Sequence, residues 1–157
     1  MARSNVHLDY GELQKLKKQI EQFGDATQVD LFLTSCAKEL AARLLAKVIK
    51  RTPVGQDPEG SGKTGGTLRR GWTAGQNSNA QSFAKSMNVN KVGNDYVIEI
   101  INPVEYASYV EFGHRTRNHK GWVEGHFMLT ISEEEIRKSS PKILEKKLEK
   151  YLKECFQ

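Results

Sequence analysis

Residues 60–67, GSGKTGGT, come nearest to a site for chemistry, because Gly62-Lys63-Thr64 is the ending of a phosphate-binding loop. Such a loop begins with a glycine five residues before Gly62, and Asp57 stands at that position. The carboxylate of Asp57 would face the phosphates, and its side chain would block the tight turn. The loop should also follow a buried strand, whereas residues 40–51 repeat at helical spacing. We therefore predict a flexible loop over residues 55–66 and no bound nucleotide.

Histidines and acids offer two other chemistries. His114, His119 and His126 follow Glu111, but their spacings of five and seven residues match no compact ligand motif. We interpret them as solvated loop histidines and expect no metal or other cofactor. The acids Glu133–Glu135 are adjacent, which suits interaction with a helix dipole better than the paired acids of a hydrolase.

Aromatic side chains beside arginines could stack on the bases of single-stranded nucleic acid. The residues that could form such a surface are Trp72, Trp122, Tyr106, Tyr109, Arg69 and Arg70. We favour a core position for these aromatic residues and keep a nucleic-acid-binding module as the alternative function. A small hydrolase or nuclease has less support, because Asn118-His119 resembles a fragment of an HNH-type nuclease whose remaining motif is absent.

The composition limits the class of protein. A chain of 157 residues with 38% hydrophobic and 27% charged residues predicts one globular domain with a real core. The net charge is +5, but the Lys and Arg residues are scattered among acids and do not form one block. A solvated surface is therefore the simpler interpretation. Cys36 and Cys155 lie in apolar helical patterns, which predicts buried free thiols. We find no membrane-length apolar run and no signal-peptide core, and expect a cytoplasmic product.

Helices are predicted toward both ends. An arm over residues 1–24 contains a narrow apolar seam at helical spacing, typical of packing against a neighbour. A long helix is predicted from about Thr27 to Arg51, ended by the Thr52-Pro53 pair. The residues of the seam are Leu13, Leu16, Ile20 and Phe23.

The last helix is predicted from Ser132 to Phe156, with Ser132 and Glu135 as a capping box, although it could already begin near His126. Pro141 is expected to kink this helix or to split it in two.

The centre alternates as strands do. We predict strands over residues 67–72, 83–90 and 96–101, with a tight turn at Gly93-Asn94. A short helix then follows, with Asn102 as its cap, Tyr106, Tyr109 and Val110 on its packed side, and Gly113 at its end. The predicted fold class is α+β, a small and mostly antiparallel sheet packed against the long helix. Its parts would be an arm (1–24), a core (25–131) and a C-terminal helix (132–157).

Four motifs, in this order, resemble the tailed-phage family of small neck and tail-completion proteins that is named after the tenth gene product of a lambdoid phage. They are RTPVG (51–55), GGTLRRGW (65–72), INPVEYASYVEFGHRTR (101–117) and GWVEGHFML (121–129). The resemblance covers residues 27–155. In that family the Pro-Val turn is joined almost directly to Thr-Gly-x-Leu-Arg. Here the insertion GQDPEGSGKTG intervenes, and it creates the likeness to a phosphate-binding loop.

The resemblance implies a structural virion protein of the head–tail junction or tail end, in a phage, prophage or phage-tail-like particle. It would act without catalysis, in a ring of its own copies that we expect to be sixfold, together with other neck or tail proteins. Assembly in the host cytoplasm would precede its place in the virion. DNA would cross the ring's channel, where Arg51, Arg69 and Arg70 would line the passage or pair with acids on the next subunit; we favour pairing.

Two sets of residues follow from this interpretation. The candidate subunit contacts are Leu13, Leu16, Ile20, Arg69, Arg70, Glu111, His114, Arg115 and Arg117, with Glu133–Glu135 as an acidic surface for the basic loop. The candidate structural motif residues are Thr52, Pro53, Gly66, Leu68, Trp72, Asn102, Tyr106, Tyr109, Gly113, Trp122 and Gly125.

Overall fold

The computed structural model describes residues 2–4, 11, 14–15, 18, 25–55, 61–62, 65–76 and 78–155. Its helices are α1 (Ala26–Arg51), α2 (Thr67–Gly71), α3 (Ala80–Ser86), α4 (Ala107–Phe112) and α5 (Met128–Cys155). Its strands are β1 (Ala2–Ser4), β2 (Asn90–Val92), β3 (Asp95–Val97), β4 (Ile100–Asn102), β5 (Gly113–Arg115) and β6 (Trp122–Glu124). Residues 11, 14, 15 and 18 are also helical, whereas Leu13, Leu16, Ile20 and Phe23 lie outside the described residues.

The α+β class is confirmed, and the strands pair antiparallel. They form three two-stranded sheets, β1–β4, β2–β3 and β5–β6, in place of the single sheet that we expected. The turn between β2 and β3 lies at Gly93-Asn94 as predicted, with Gly93 at a φ of 63°. Within the described residues no helix is long and apolar enough to cross a membrane.

Helix α1 forms the centre of the core, as its apolar spacing predicted. The Asp25 carboxylate accepts the N–H of Thr27 at 3.2 Å and caps the helix, which ends where Thr52 takes an extended conformation before proline. Leu40 and Leu44 are 0% and 1% exposed. The Cys36 thiol is buried as well, and this burial raises its pKa to about 12. The side chain of Cys155 lies outside the described residues.

Helix α5 begins four residues before the predicted capping box, at Met128, and the Ser132 cap was therefore wrong. Ser132 is buried inside the helix, where its hydroxyl donates to the carbonyl of Met128 at 2.5 Å. Pro141 does not split α5. A proline lacks the N–H that would bond the carbonyl of Arg137, and the Ser140 hydroxyl donates to that carbonyl at 3.0 Å instead.

Ion pairs join the outer faces of α1 and α5. Lys47 and Arg51 both donate to the carboxylate of Glu135, at 2.9 and 2.7 Å. These hydrogen bonds lower the pKa of Glu135. Arg51 also donates to Ser132 at 2.7 Å, so its guanidinium is used within the chain.

Two predicted strands are helices. Residues 67–72 contain α2, and residues 83–86 belong to α3, whose cap Asn79 accepts the N–H of Ser82 at 2.8 Å. The reason is that Leu68 and Trp72, like Phe83 and Met87, are four residues apart, so they satisfy the helical period as well as the alternating one. The third predicted strand is interrupted by residues 98–99, between β3 and β4.

A buried hydrogen bond fixes α2 against the end of α1. The indole N–H of Trp72, 4% exposed, donates to the Thr52 hydroxyl at 2.8 Å, and that hydroxyl donates to the carbonyl of Val48 at 2.6 Å. Arg69 adds two bonds to the Thr52 carbonyl, at 3.2 and 2.7 Å. The predicted burial of Trp72 and Ile98 is confirmed, although Trp72 ends a helix.

Replacing Thr52 by valine is expected to cost about 1–3 kcal/mol of unfolding free energy, because the Trp72 indole N–H is left buried without an acceptor. Urea unfolding measures this loss, and hydrogen exchange of the indole N–H groups localises it. The indole of Trp122, whose side chain is 54% exposed, is the internal reference for fast exchange. Equal exchange rates for the two indoles in the unmutated protein would refute the assignment of this bond.

Candidate assembly surface

Helix α4 starts later than the Asn102 cap predicted. Tyr106 is its N-terminal boundary residue, and Asn102 lies buried at the end of β4. The Asn102 side chain donates to the carbonyl of Leu68 at 2.8 Å and accepts the N–H of Val104 at 3.2 Å. Asn102 therefore joins β4 to α2 and turns the chain toward α4. Its role is structural, but it does not cap α4.

The packed face of α4 also differs from the prediction. Ala107 and Glu111 are buried, whereas Tyr106 and Tyr109 are 46% and 57% exposed. The predicted packing of these tyrosines was therefore wrong, and Val110 is half-buried. A helix of six residues can bury only one narrow face. In α4 this face contains Ala107 and the carboxylate of Glu111.

The Glu111 carboxylate caps α5. It accepts the N–H groups of Leu129 and Thr130, both at 2.9 Å, and the Thr130 hydroxyl at 2.6 Å. These N–H groups belong to the first turn of a helix and have no partners within it, and the helix dipole favours a negative charge there. Glu111 was expected to pair across a subunit contact, but its side chain is buried and used within the chain.

Two glycines let the backbone before β5 touch the backbone after β6. Gly113 ends α4 at a φ of 86°, and a side chain at Gly125 would meet the carbonyl of Glu111 at 2.4 Å. The close approach allows the N–H of His126 to donate to Val110, at 2.7 Å, and that of Phe127 to donate to Glu111, at 3.0 Å. The root of the β5–β6 hairpin is therefore tied to both α4 and α5.

Exposed apolar side chains surround this root. Phe112 and Phe127 meet edge to face with ring centroids 6.4 Å apart, the Tyr109 ring lies 5.5 Å from that of His114, and Trp122 lies against Gly113. The exposed fractions of Tyr109, Phe112 and Trp122 exceed one half. We call this set the aromatic collar; its members are Tyr109, Phe112, Trp122, Val123, Phe127 and Ile131.

The other predicted contact residues divide between internal and exposed positions. Arg69 is bonded to Thr52, and Arg70 is exposed and donates to the Gly65 carbonyl at 3.0 Å. Arg115 and Arg117 are exposed on the hairpin, and His114 is half-buried. The acidic surface already has partners within the chain, since Glu133 pairs with Arg137, Glu134 with Lys138, and Glu135 with α1.

The candidate structural motif residues either hold together the elements beneath the aromatic collar or lie on the collar itself. Pro53 is half-buried after α1, and Gly66 precedes α2 at a φ of 91°. The core position that we favoured for the aromatic residues is confirmed for Trp72, but it was wrong for Trp122, Tyr106 and Tyr109, which are exposed. Since Trp72 is buried, the alternative stacking surface does not form from the whole set either.

The loop that resembled a phosphate site follows α1, a helix, and leads into the five-residue α2. Lys63 and residues 56–60 lie outside the described residues. Among the residues that are described, no three or more His, Cys, Asp or Glu side chains lie together in a group that could hold a metal ion.

Exposed aromatic side chains on a rigid frame are typical of surfaces that bind other proteins. Comparison with family models agrees with such a class: residues 14–113, more than half of the chain, match the model described as "Bacteriophage HK97-gp10, putative tail-component". The chain therefore belongs to the HK97-gp10-like family of phage tail components. No curated protein and no solved structure gave a significant match.

The family match ends where the hairpin begins, so β6 and α5 lie beyond it. Sequence reasoning missed Phe112, Phe127 and Ile131 as surface residues. A signal was present for Phe127 and Ile131, because they are four residues apart, the helical spacing, at the start of α5. We placed the helix start at Ser132, left a start near His126 open, and did not follow the spacing of these two residues.

Proposed function

We propose that this chain is a ring subunit at the head–tail junction or tail end of a phage, prophage or phage-tail-like particle. Membership of a family of phage tail components supports a place in a phage or phage-like particle. The exposed side chains of the aromatic collar support assembly with other subunits. The chain would act without catalysis and without a cofactor, as one domain, and would pass from the host cytoplasm into the virion. Its partners would be copies of itself, in a sixfold ring, and other neck or tail proteins.

The collar is the proposed centre of the subunit contact. Large side chains such as Tyr109, Phe112 and Trp122 bury much area on association, and aromatic residues carry a large share of interface energy. A closed ring needs two different patches that meet head to tail. We propose the apolar seam of the N-terminal arm, Leu13, Leu16 and Ile20, as the second patch, with His114 and Arg70 at the rim.

A double substitution tests this contact in the particle. Tyr109→Ser with Phe112→Ser removes two exposed apolar side chains, so the protein should fold, because surface changes typically alter stability by only about 0.5 kcal/mol. Its incorporation into particles purified from the encoding phage or prophage should be lost. The matched control is Leu31→Ser with Val92→Ser, which are 61% and 64% exposed and lie away from the collar.

The measurement is the amount of the chain in purified particles, by quantitative mass spectrometry, with circular dichroism as the check of folding. Collar variants that fold and enter particles at the unmutated level would contradict the proposed contact. Absence of the unmutated chain from particles would contradict the proposed function itself.

A further inference from the structure

The tip of the β5–β6 hairpin is rich in positive charge, and the acid of the hairpin, Glu124, lies at its root opposite Gly113. Between residues 112 and 123 the sequence contains Arg115, Arg117 and Lys120 and no Asp or Glu. All three side chains are exposed, and within the described part of the chain none of them makes a hydrogen bond or ion pair. Some cations elsewhere, such as Lys47 and Lys147, have a carboxylate partner, and the exposed lysines of α5 alternate with acids along the helix.

The tip has a defined shape. The N–H of Thr116 donates to the Gly121 carbonyl at 3.0 Å, and the N–H of Gly121 donates back to the Thr116 hydroxyl at 3.0 Å. That hydroxyl donates to the Asn118 side chain at 2.6 Å, which also accepts the N–H of Lys120 at 3.1 Å. The side chains of Thr116 and Asn118 are thus bonded within the loop itself, whereas the exposed side chains of Arg115, Arg117, His119 and Lys120 remain for a partner.

We propose that this tip binds the phosphodiester backbone of double-stranded DNA. Its free side-chain groups are cationic donors, and a phosphodiester backbone presents charged acceptors, whereas a protein surface presents donors and acceptors together. The guanidinium groups of Arg115 and Arg117 have the planar fork that fits phosphate oxygens, and Lys120 adds a point charge. The choice of DNA rests on the proposed function, because a neck ring surrounds the path of the genome.

A salt titration of DNA binding tests the proposal on the full chain. The probe is a fluorescein-labelled 30-bp duplex of random sequence, read by anisotropy between about 20 and 200 mM salt, the range in which phosphate contacts are lost. Three phosphate contacts give a slope of log K against log salt of about −2.7, which is about a 40-fold loss of affinity from 50 to 200 mM. R115Q/R117Q/K120Q should remove that slope and leave the melting temperature unchanged.

The control removes the same charge elsewhere. K142Q/K146Q/K150Q neutralises three exposed lysines of α5, where Glu145 and Glu149 are interleaved with them, and should keep the full slope. If the hairpin triple variant does not fold, R115Q and K120Q alone should each remove about one third of the slope.

Equal weakening of DNA binding by both triple variants would overturn the proposal, because net charge alone would then explain it. Polyglutamate that binds as tightly as the duplex at matched charge would also overturn it, in favour of an acidic protein surface. If the unmutated chain enters particles but shows no salt-dependent DNA binding, this inference fails while the proposed function stands.

Discussion

Replacing Glu111 by alanine is expected to lower the free energy of unfolding by about 3 kcal/mol, because a donor left buried without its partner costs about 1–3 kcal/mol, whereas the donors of the exposed Thr130 can turn to water. The N–H of Leu129 would be left buried without a partner. Glu111 is 5% exposed, so in the alanine variant water does not easily take the place of the carboxylate as the acceptor. The loss of the cap should also loosen the first turn of α5, and with it Phe127 and the collar.

Urea unfolding of matched variants measures this effect. Glu111→Gln keeps one carbonyl oxygen as an acceptor and should lose clearly less than the alanine variant. Glu105→Ala changes an exposed acid two residues before α4, and should stay within about 0.5 kcal/mol of the unmutated protein. If the Glu111 and Glu105 alanine variants unfolded alike, Glu111 would not be the cap of α5.

Leu44→Ala is the second change with a large expected effect. Leu44 lies on the buried face of α1 and is 1% exposed, so truncation removes buried methyl groups and leaves a cavity. Such substitutions typically cost about 2–5 kcal/mol. The melting temperature should therefore fall by several degrees, and the urea midpoint with it.

The control for Leu44 is the same change on the same helix. Leu31 is 61% exposed, so Leu31→Ala removes the same atoms without opening a cavity and should change stability by about 0.5 kcal/mol or less. A loss below about 1 kcal/mol for Leu44→Ala would mean that the packed face of α1 is assigned wrongly.

Long elements were predictable from the sequence, because a period repeated over many residues is unambiguous. Helix α1 shows this, since its apolar face runs from Val29 to Val48 and its ends carry Asp25 and Thr52-Pro53. Short elements were not predictable in the same way. Leu68 and Trp72 fit a strand and a helix equally, and only their packing against Thr52 and Asn102 decides for α2.

The candidate site was predictable in place but not in detail. The segment around Tyr109 and the basic loop were indicated by the sequence, and the structure places the first at the root of the β5–β6 hairpin and the second at its tip. The burial of Glu111 could not be foreseen, because its partners are the first N–H groups of a helix that begins 17 residues later. Long-range capping of this kind leaves no periodic signal near the acid.

Reconstruction of the purified particle by electron cryo-microscopy tests the central claim most directly. We predict a closed ring of this chain at the neck or tail end, with the aromatic collar at the contact between neighbouring subunits and the cationic hairpin tips facing the channel. A particle that lacks the chain, or that contains it with Tyr109, Phe112 and Trp122 facing only solvent, would contradict the account.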